Sequence, residues 1–300
     1  MAVFLFGLAV YEFQVYSSER EIVLLFIYLR ILLLPLPISE FMPFPFSTDF
    51  CYQFKFMNAK KIARAILPTR VKKWIRKERN PENAAYFANR SASETFSEIY
   101  RSNVWGGTGE RFYSGSGSDD EIAEKYIEAV IEVFEKYRPK IVVDLGCGDF
   151  RVASKFVRPT FRYIGVDVVP ELIQHHNERY SNEQIEFRNL DASAEELPDG
   201  DICLIRQVLQ HLSNFEIAEI LRKCEKYRYL IVTEHFPPEN ANFTPNLDMP
   251  HGADTRLKKN SAVCIDLPPF CLANIKEIAE VKVADNTVIR TFLVIQDQSK

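Results

Sequence analysis

Two aspartates and two glycines in the middle of the chain stand where the nucleoside part of a cofactor is commonly held. Asp144 lies near the end of the apolar run 141–145, and Gly146 and Gly148 follow it. Asp167 ends a second apolar run, 23 residues after Asp144. Glycine has no Cβ, so the backbone can approach a ligand closely, and an acid ending a second strand is placed to hold a ribose diol. The spacing therefore predicts a nucleotide-type binding site.

A glycine loop that binds a nucleotide usually follows a strand and precedes a helix. Residues 141–145 are apolar enough for a buried strand, and residues 150–157 predict the start of a helix. A helix N-terminus offers unpaired N–H groups and a partial positive charge. The dinucleotide fingerprint places a third glycine three residues after Gly148, where this chain has Arg151. That substitution disfavours an NAD-dependent oxidoreductase.

Further apolar runs predict the rest of the sheet. An amphipathic helix is expected over residues 120–137, and Pro170 begins another helix after the second strand. The later strands are expected at residues 162–167, 185–188, 201–205, 229–233, 280–284 and 287–295, with Asp285 and Asn286 as the hairpin turn. Strands alternating with helices predict an α/β fold.

The sequence Asp-Leu-Gly-Cys-Gly-Asp at 144–149, with the order of elements after it, resembles the first motif of the class I S-adenosylmethionine-dependent methyltransferases. The resemblance covers residues 121–300. It implies a Rossmann-like, seven-stranded, mostly parallel sheet with a C-terminal antiparallel hairpin, plus an N-terminal helical cap. It also implies S-adenosyl-L-methionine as the cofactor, with Asp144, Gly146 and Gly148 around its methionine and ribose parts.

The same resemblance assigns further cofactor-binding residues. Asp167 matches the family's acid at the end of the second strand, and Asp191, after the third strand, matches an acid that accepts from the adenine amino group. Ala192 follows it, and Gln207 belongs to the motif after the fourth strand. For Asp191 a second interpretation is a helix cap, since Asp before Ala-Glu-Glu caps well.

His211 is the candidate catalytic residue, because the resemblance points it at the reaction site. Methyl transfer from a sulfonium is an in-line displacement, so alignment matters most. A base is needed only if the nucleophile loses a proton, and an imidazole with an ordinary pKa of about 6.5 suits neutral pH. His235 is the second candidate, and either histidine could instead be structural.

The acceptor is expected to contact the long loop 236–263, which is too long for a mere connection. A similar run occurs in a group of bacterial methyltransferases of mostly unassigned substrate, which makes Asn246, Asp248 and Arg256 substrate-binding candidates; a solvated loop is the alternative. We predict transfer to a hydroxyl of a small-molecule or glycan acceptor. The alternative from another class is a non-catalytic cofactor-binding module that acts through a partner.

Residues 81–120 are expected to form a cap or lid over the mouth of the sheet. Trp105 lies in an aromatic cluster, and Ser114 and Gly115 lie in the glycine–serine run that follows. Backbone N–H groups in such a run can bind a carboxylate such as the cofactor's, which makes these three residues cofactor-binding candidates. A purely structural cap is the alternative.

The N-terminal 80 residues differ in composition from the rest. Residues 1–56 form a hydrophobic extension, for which we consider translation starting at Met57, a surface-bound extension and a membrane anchor; Arg30 inside the apolar run 22–34 disfavours the last. Residues 57–80 predict basic amphipathic helices, typical of peripheral membrane contact or of a solvated terminal helix.

Composition restricts the classes of partner and compartment. A formal net charge of -4 gives no case for nucleic-acid binding. The six cysteines form no Cys-x-x-Cys pair, as expected for reduced thiols in a cytoplasmic protein, membrane-associated if the N-terminal region binds a surface. No metal site is predicted, because the adjacent His175 and His176 face different sides of a helix, where both are expected at the surface.

Overall fold

A seven-stranded sheet carries the fold in the computed structural model, which describes residues 90–107, 112–238 and 241–296. The helices are α1 (Ala92–Arg101), α2 (Asp120–Tyr137), α3 (Pro170–Tyr180) and α4 (Asn214–Cys224). The strands are β1 (Ile141–Leu145), β2 (Arg162–Asp167), β3 (Ile185–Asn189), β4 (Ile202–Arg206), β5 (Tyr229–Phe236), β6 (Thr244–Pro245), β7 (Ser261–Ala262), β8 (Ile275–Lys282) and β9 (Val288–Ile295).

The strand order in the large sheet is β3-β2-β1-β4-β5-β9-β8. The first five of these strands pair in parallel, and β9 pairs antiparallel with both β5 and β8. The chain order therefore reverses between β1 and β4, which opens a crevice at their carboxyl ends. The predicted α/β fold, with a mostly parallel seven-stranded sheet and a terminal antiparallel hairpin, is confirmed.

Both faces of the sheet are buried, as a parallel sheet requires. On one face Val143 and Ile205 pack with α1 and α4 in one core. On the other face Val142 and Leu204 pack with the apolar side of α2. All four side chains are fully shielded, so β1 and β4 lie at the centre of the molecule's core and hold their ends rigidly.

The predicted helix over residues 150–157 is wrong. Only a single 3₁₀ turn, Ala153–Lys155, is found there. Phe150 has φ 63°, in the left-handed region, so a right-handed helix cannot begin at this residue. Its ring is instead buried in the core against Tyr163 and Phe187. The turn after β1 is thus fixed by packing of an aromatic side chain.

The last two strands form the predicted hairpin, but β8 begins at Ile275, five residues earlier than expected. Asp285 and Asn286 both have positive φ and make the turn, with values of 60° and 58°. The early residues of β8 escaped prediction because its side chains are mostly half-buried or exposed, so its sequence lacks a clear apolar period.

The cap contributes one well-defined helix. Ser91 and Glu94 form a capping box at the start of α1, where Ser91 Oγ accepts from Glu94 N–H and the Glu94 carboxylate accepts from Ser91 N–H. Phe96 and Ile99 on its inner side are buried in the core shared with α4. This helix is therefore packed firmly on the sheet domain.

The predictions for residues 1–56 and 57–80 lie outside the described residues. Among the helices of the described ranges, none combines the length and apolar character that a membrane crossing requires.

Candidate cofactor-binding and active site

A cavity of about 160 Å³ opens at the carboxyl ends of the central strands, where the chain order reverses. Of the fourteen predicted site residues, ten line it: Trp105, Ser114, Asp144, Gly146, Gly148, Asp167, Asp191, Ala192, Gln207 and His211. Gly115 lies next to the wall, while Asn246, Asp248 and Arg256 do not line the cavity. Residues separated by more than 100 positions in sequence thus share one site.

Asp144 and Asp167 are buried acids at the ends of β1 and β2, 7% and 8% exposed. Asp144 Oδ2 accepts from the Tyr163 hydroxyl at 2.7 Å, and Asp167 accepts from the N–H groups of Gly148 and Val169 at 3.2 and 3.1 Å. Burial raises the pKa of Asp144 to about 7 and that of Asp167 to about 6. Both carboxylates therefore gain from a ligand that offers positive charge or hydroxyl donors.

The two glycines of the loop have left-handed φ values of 70° and 55°. A Cβ on Gly146 would lie 2.4 Å from Val208 Cγ2, and a Cβ on Gly148 would lie 2.4 Å from Ser114 Oγ. The sequence suggested that glycine leaves room here for a ligand. In the structure the groups closest to the two glycines are side chains of the protein itself. Glycine is required here both for the turn and for the contacts of the loop with its neighbours.

Asp191 lies in a hydrogen-bonded turn after β3. Its Oδ1 accepts from Ser193 N–H and Oγ–H at 2.9 and 2.7 Å, and no helix follows it before β4. Lys223 on α4 fixes the same turn, because its Nζ donates to the carbonyls of Ala192, Ser193 and Glu195. The cap interpretation needs a helix that is not formed, and the turn instead presents Asp191 and Ala192 to the cavity.

The lid segment is joined to the glycine loop by a reciprocal pair of hydrogen bonds. Ser114 N–H donates to Asp149 Oδ2, and Asp149 N–H donates to Ser114 Oγ, both at 2.8 Å. Arg151 adds to this, since it donates to Asp149 at 3.0 Å and to Asp119 at 3.2 Å while its guanidinium lies 4.7 Å from the centre of the Tyr113 ring. The arginine at the third-glycine position therefore holds the lid.

Trp105 forms the aromatic wall beside His211. The two rings are 5.3 Å apart, and Trp105 Nε1 donates to the carbonyl of Ala253 at 3.4 Å. Tyr100 from α1 contacts the Trp105 ring edge-on at 5.2 Å, and its hydroxyl is 2.8 Å from Ser114 Oγ. The cap thus covers the cavity with aromatic side chains and shields it from water.

His211 is held in one tautomer. Its Nδ1 lies 3.1 Å from the carbonyl oxygen of Asp254, and because a carbonyl only accepts, the proton of the neutral ring is on Nδ1. The lone pair is therefore on Nε2. Desolvation lowers the pKa of His211 to about 4 against the smaller, opposite effects of two backbone carbonyls, so the ring is neutral at physiological pH.

A buried carboxyl positions the turn that carries His211. Glu234, at the end of β5, accepts from Leu209 N–H at 3.0 Å and from Gln210 N–H at 3.1 Å. Burial raises the pKa of Glu234 to about 8. Glu234 is not among the residues predicted from the sequence, although an acid near the end of an apolar strand is the same signal that indicated Asp144 and Asp167.

The three loop residues predicted to bind the acceptor have their polar groups engaged within the protein. Asn246 Nδ2 donates to the carbonyls of Cys264 and Pro268, and its Oδ1 accepts from Cys264 N–H. Arg256, 1% exposed, donates to Leu209 O and Asn214 Oδ1. Asp248 accepts from Asn214 N–H. These contacts support a structural role for Asn246, Asp248 and Arg256 in holding the loop 236–263, and their acceptor role stays a prediction.

The remaining histidines are outside the reaction site. His235 does not line the cavity, and its Nε2 is 2.8 Å from Thr287 Oγ1. The surface assignment of His176 is wrong: the residue is 1% exposed and its Nε2 is 2.7 Å from the carbonyl of Gly148. Helical periodicity turns it inwards, towards the core aromatic residues Phe150 and Phe187. In the described ranges no cluster of three potential metal ligands occurs.

Three polar atoms of cavity-lining residues lack partners, two donors and the acceptor Gln210 Oε1, which bears on whether a polar cofactor fits. Arg206 Nε and Gln207 Nε2 are shielded from solvent and have no hydrogen-bond partner. Unpaired buried donors are rare in native proteins and call for a ligand or an ordered water. With buried acids at the other side of the crevice, the wall offers separate sites for the positive and negative groups of a zwitterionic cofactor. Arg206 is not among the residues predicted from the sequence, although a charged residue that ends an otherwise apolar strand is a detectable signal.

Comparison with known proteins agrees with this geometry. Residues 142–227 match the methyltransferase domain family. The matched segment begins in β1 and ends after α4, and it contains every candidate residue between Asp144 and His211. Residues 142–227 are therefore similar to methyltransferase domains, and the seven-stranded, mostly parallel sheet that contains them has the strand order β3-β2-β1-β4-β5-β9-β8. No curated protein sequence matches the chain.

Solved structures with similar folds include several methyltransferases. Human N-acetylserotonin methyltransferase in complex with S-adenosylmethionine is 15% identical, with 72% of this chain and 63% of that chain covered and a TM-score of 0.43. The N-methyltransferase NodS from Bradyrhizobium japonicum WM9 with S-adenosylhomocysteine is 14% identical (59% and 88% covered, TM-score 0.43). Magnesium protoporphyrin IX methyltransferase from Synechocystis PCC 6803 is 15% identical (71% and 94% covered, TM-score 0.41). This chain spans less than two thirds of the human enzyme, and likeness at this level says nothing about the acceptor.

Proposed function

We propose that the protein transfers the methyl group of S-adenosyl-L-methionine to a hydroxyl of a small-molecule or glycan acceptor, with His211 as the base. The observation that carries the proposal is the convergence of Asp144, Asp167, Asp191 and His211 on one cavity beneath an aromatic lid. Acids that hold a cationic nucleoside and a neutral imidazole with a free lone pair are what this chemistry requires.

Each residue of the site has a separate task in this proposal. Bound cofactor supplies a methyl group already activated by its sulfonium. The Asp167 carboxylate accepts from the ribose hydroxyls, and Asp191 accepts from the adenine amino group. The Asp144 carboxylate stabilises positive charge at the methionine end. These contacts fix the direction of the methyl group, so that alignment supplies most of the rate enhancement.

His211 acts on the acceptor. Its Nε2 lone pair accepts the hydroxyl proton, while Nδ1 stays bound to the Asp254 carbonyl, which keeps the ring oriented. A pKa of about 4 makes His211 a weak base in the free protein. The buried imidazole is therefore neutral and ready to accept a hydrogen bond at all physiological pH values. Trp105 and Tyr100 exclude water, which would otherwise compete for this lone pair.

The test uses the full chain and two cofactors. Calorimetry with S-adenosylmethionine and with NAD should show binding of the first only. Incubation with methyl-labelled S-adenosylmethionine and a fractionated metabolite extract should move label into a small molecule or glycan whose methyl group withstands conditions that cleave esters. Label found on an amine or on protein would overturn the hydroxyl assignment. Binding without transfer to any fraction would favour the non-catalytic module.

A further inference from the structure

Arg206 holds a positive charge inside the cavity wall. It is the last residue of β4, and its side chain passes beneath the lid. Its Nη1 donates to Ser118 Oγ at 3.3 Å, its Nη2 donates to the carbonyl of Gly117, and the guanidinium lies 5.1 Å from the centre of the Tyr126 ring. These neutral partners orient the guanidinium without neutralising it.

No acid compensates this charge fully. Arg206 forms no ion pair with any carboxylate of the described residues, and its Nε has no partner. Asp144 is the nearest acid along the sheet, but its carboxyl is bonded to the Tyr163 hydroxyl, and burial raises the pKa of Asp144 to about 7. A shielded guanidinium without a counter-ion is costly. An anionic group bound in the cavity would remove that cost.

The neighbouring residue offers a second donor to the same place. Gln207 Nε2 also lacks a partner, and the side chains of Arg206 and Gln207 meet at Gly117. A Cβ on Gly117 would lie 2.2 Å from Gln207 Oε1, so only glycine leaves room here. Two donors from consecutive residues match the two oxygens of a carboxylate.

The strand order indicates which carboxylate this is. Asp191 follows β3, Asp167 ends β2 and Asp144 lies in β1, so adenine, ribose and sulfonium would be laid out across the sheet towards β4. The amino acid end of the cofactor then reaches Arg206, about 14 Å from β3 at about 4.8 Å per strand. The lid amide expected to bind this group, Ser114 N–H, is already occupied by Asp149.

We propose that Arg206, assisted by Gln207, binds the carboxylate of the methionine part of S-adenosylmethionine. This assignment rests on the proposed function and adds the residue that recognises the amino acid end. It makes Arg206 a specificity-determining residue: cofactor analogues that lack the carboxylate bind more weakly because Arg206 Nε would stay shielded and without a partner, and the guanidinium without a counter-ion.

The experiment measures binding of two ligands by calorimetry, S-adenosylhomocysteine and its decarboxylated analogue. Wild-type protein should bind the decarboxylated analogue about 10- to 100-fold more weakly. In Arg206→Met, S-adenosylhomocysteine should lose a similar factor, while the analogue should bind as it does to wild type within about 3-fold. Arg188→Met, which removes an arginine near the end of β3 outside the cavity, should leave both affinities unchanged.

Several outcomes overturn the assignment. Equal binding of both ligands to wild-type protein, or an equal loss of both in Arg206→Met, excludes carboxylate recognition by Arg206 while leaving the proposed function intact. Failure of wild-type protein to bind S-adenosylhomocysteine overturns the proposed function as well. If Arg206→Met does not fold, Arg206→Lys replaces it: lysine keeps the charge but not the planar fork, so the preference for S-adenosylhomocysteine should shrink, and an undiminished preference refutes the role of the guanidinium.

Discussion

At the scale of single residues, burial decides the protonation states of the site. Asp144 and Asp167 share a low-dielectric crevice in which their pKa values rise to about 7 and about 6, while the pKa of His211 falls to about 4. Each shift favours the neutral form, as desolvation predicts. The acids of the free site therefore lose protons when a cation binds, and its neutral imidazole already has a lone pair that can accept a hydrogen bond.

The first prediction concerns His211. Replacing His211 by Asn should lower kcat by about 100-fold or more, because a base contributes roughly that factor. Affinity for S-adenosylhomocysteine should change by less than about 3-fold, since no cofactor contact is removed. Steady-state kinetics and calorimetry measure the two effects. His235→Asn is the matched control: it removes another half-buried histidine with a pKa of about 4, outside the cavity, and should preserve kcat. Loss of cofactor affinity in His211→Asn would contradict the assignment.

The second prediction concerns proton release. Because the folded pKa values of Asp144 and Asp167 are raised and a bound cation stabilises their ionised forms, S-adenosylmethionine should bind more tightly as pH rises from 5.5 to 8. At pH 6.5 binding should release protons, which calorimetry in buffers of different ionisation enthalpy detects. Asp144→Asn should reduce the release. Proton uptake on binding would be the contrary result.

At the scale of elements, the loops around the cavity are positioned by contacts between residues that are far apart in the sequence. The lid reaches the glycine loop through Ser114, Asp149 and Arg151, the turn after β3 is held by Lys223 on α4, and the turn after β4 is held by Glu234 on β5. In each case a charged or polar side chain binds backbone groups that the sheet leaves unpaired. Sequence patterns place the strands, but they do not indicate these cross-connections.

The third prediction tests the lid. Arg151→Ala removes the bonds to Asp149 and Asp119 together with the stacking on Tyr113, so the closed lid should be less stable. Dissociation of S-adenosylhomocysteine should become about 5- to 20-fold faster, corresponding to roughly 1–2 kcal/mol. Stopped-flow fluorescence of Trp105, which lines the cavity, follows the event. Arg158→Ala, which removes an exposed arginine seven residues further along the chain, serves as the control. An unchanged off-rate in Arg151→Ala would refute the role of Arg151 in holding the lid.

The fourth prediction concerns the loop 236–263. Asn246→Ala removes four hydrogen bonds to the backbone of Cys264, Leu267 and Pro268 and leaves buried polar groups unpaired. The free energy of unfolding should fall by about 2–4 kcal/mol, measured by urea denaturation. Asn242→Ala, whose side chain is exposed, should change it by less than about 0.5 kcal/mol. A change in acceptor KM with unaltered stability would instead restore Asn246 as a substrate-binding residue.

At the scale of the whole molecule, the buried acids make stability depend on pH in an unusual direction. Asp144 and Glu234 have folded pKa values of about 7 and about 8, above those of unfolded acids. The folded state therefore binds more protons than the unfolded state between pH 6.5 and 8. Histidines with lowered pKa values oppose the effect only near pH 6.5, where their unfolded imidazoles are still partly protonated; above about pH 7.5 they are neutral in both states.

The fifth prediction follows from that balance. The free energy of unfolding of the ligand-free protein should decrease as pH rises from 7.5 to 8.5, because the folded state keeps a proton on Glu234 that the unfolded state has already lost. Chemical denaturation at several pH values measures the slope. Glu234→Gln should flatten it, since glutamine does not ionise. A stability that rises over this range would show that these acids are charged in the folded protein.

The sequence alone determined the order of the elements and the position of the acids. Apolar runs of strand length predict buried parallel strands, and parallel strands bring their carboxyl ends to one edge. Asp144 and Asp167, which lie in strands, therefore meet at one crevice, and Asp191 follows β3 at the same edge of the sheet. The resemblance of residues 144–149 to a methyltransferase motif indicated the cofactor, because that motif is a short run of adjacent residues that can be read without the tertiary structure.

Only the tertiary structure decided how side chains from distant segments meet. The helix predicted at 150–157 does not form, because Phe150 has a left-handed φ and its ring packs in the core. Arg151 instead contacts the lid through Asp119. The tertiary structure also left Arg206 without a counter-ion. These features depend on contacts between residues tens of positions apart, whose energies come from desolvation and packing. Local sequence patterns predict where a strand or a helix forms. They do not indicate which charged side chain will be buried or which residue will contact it.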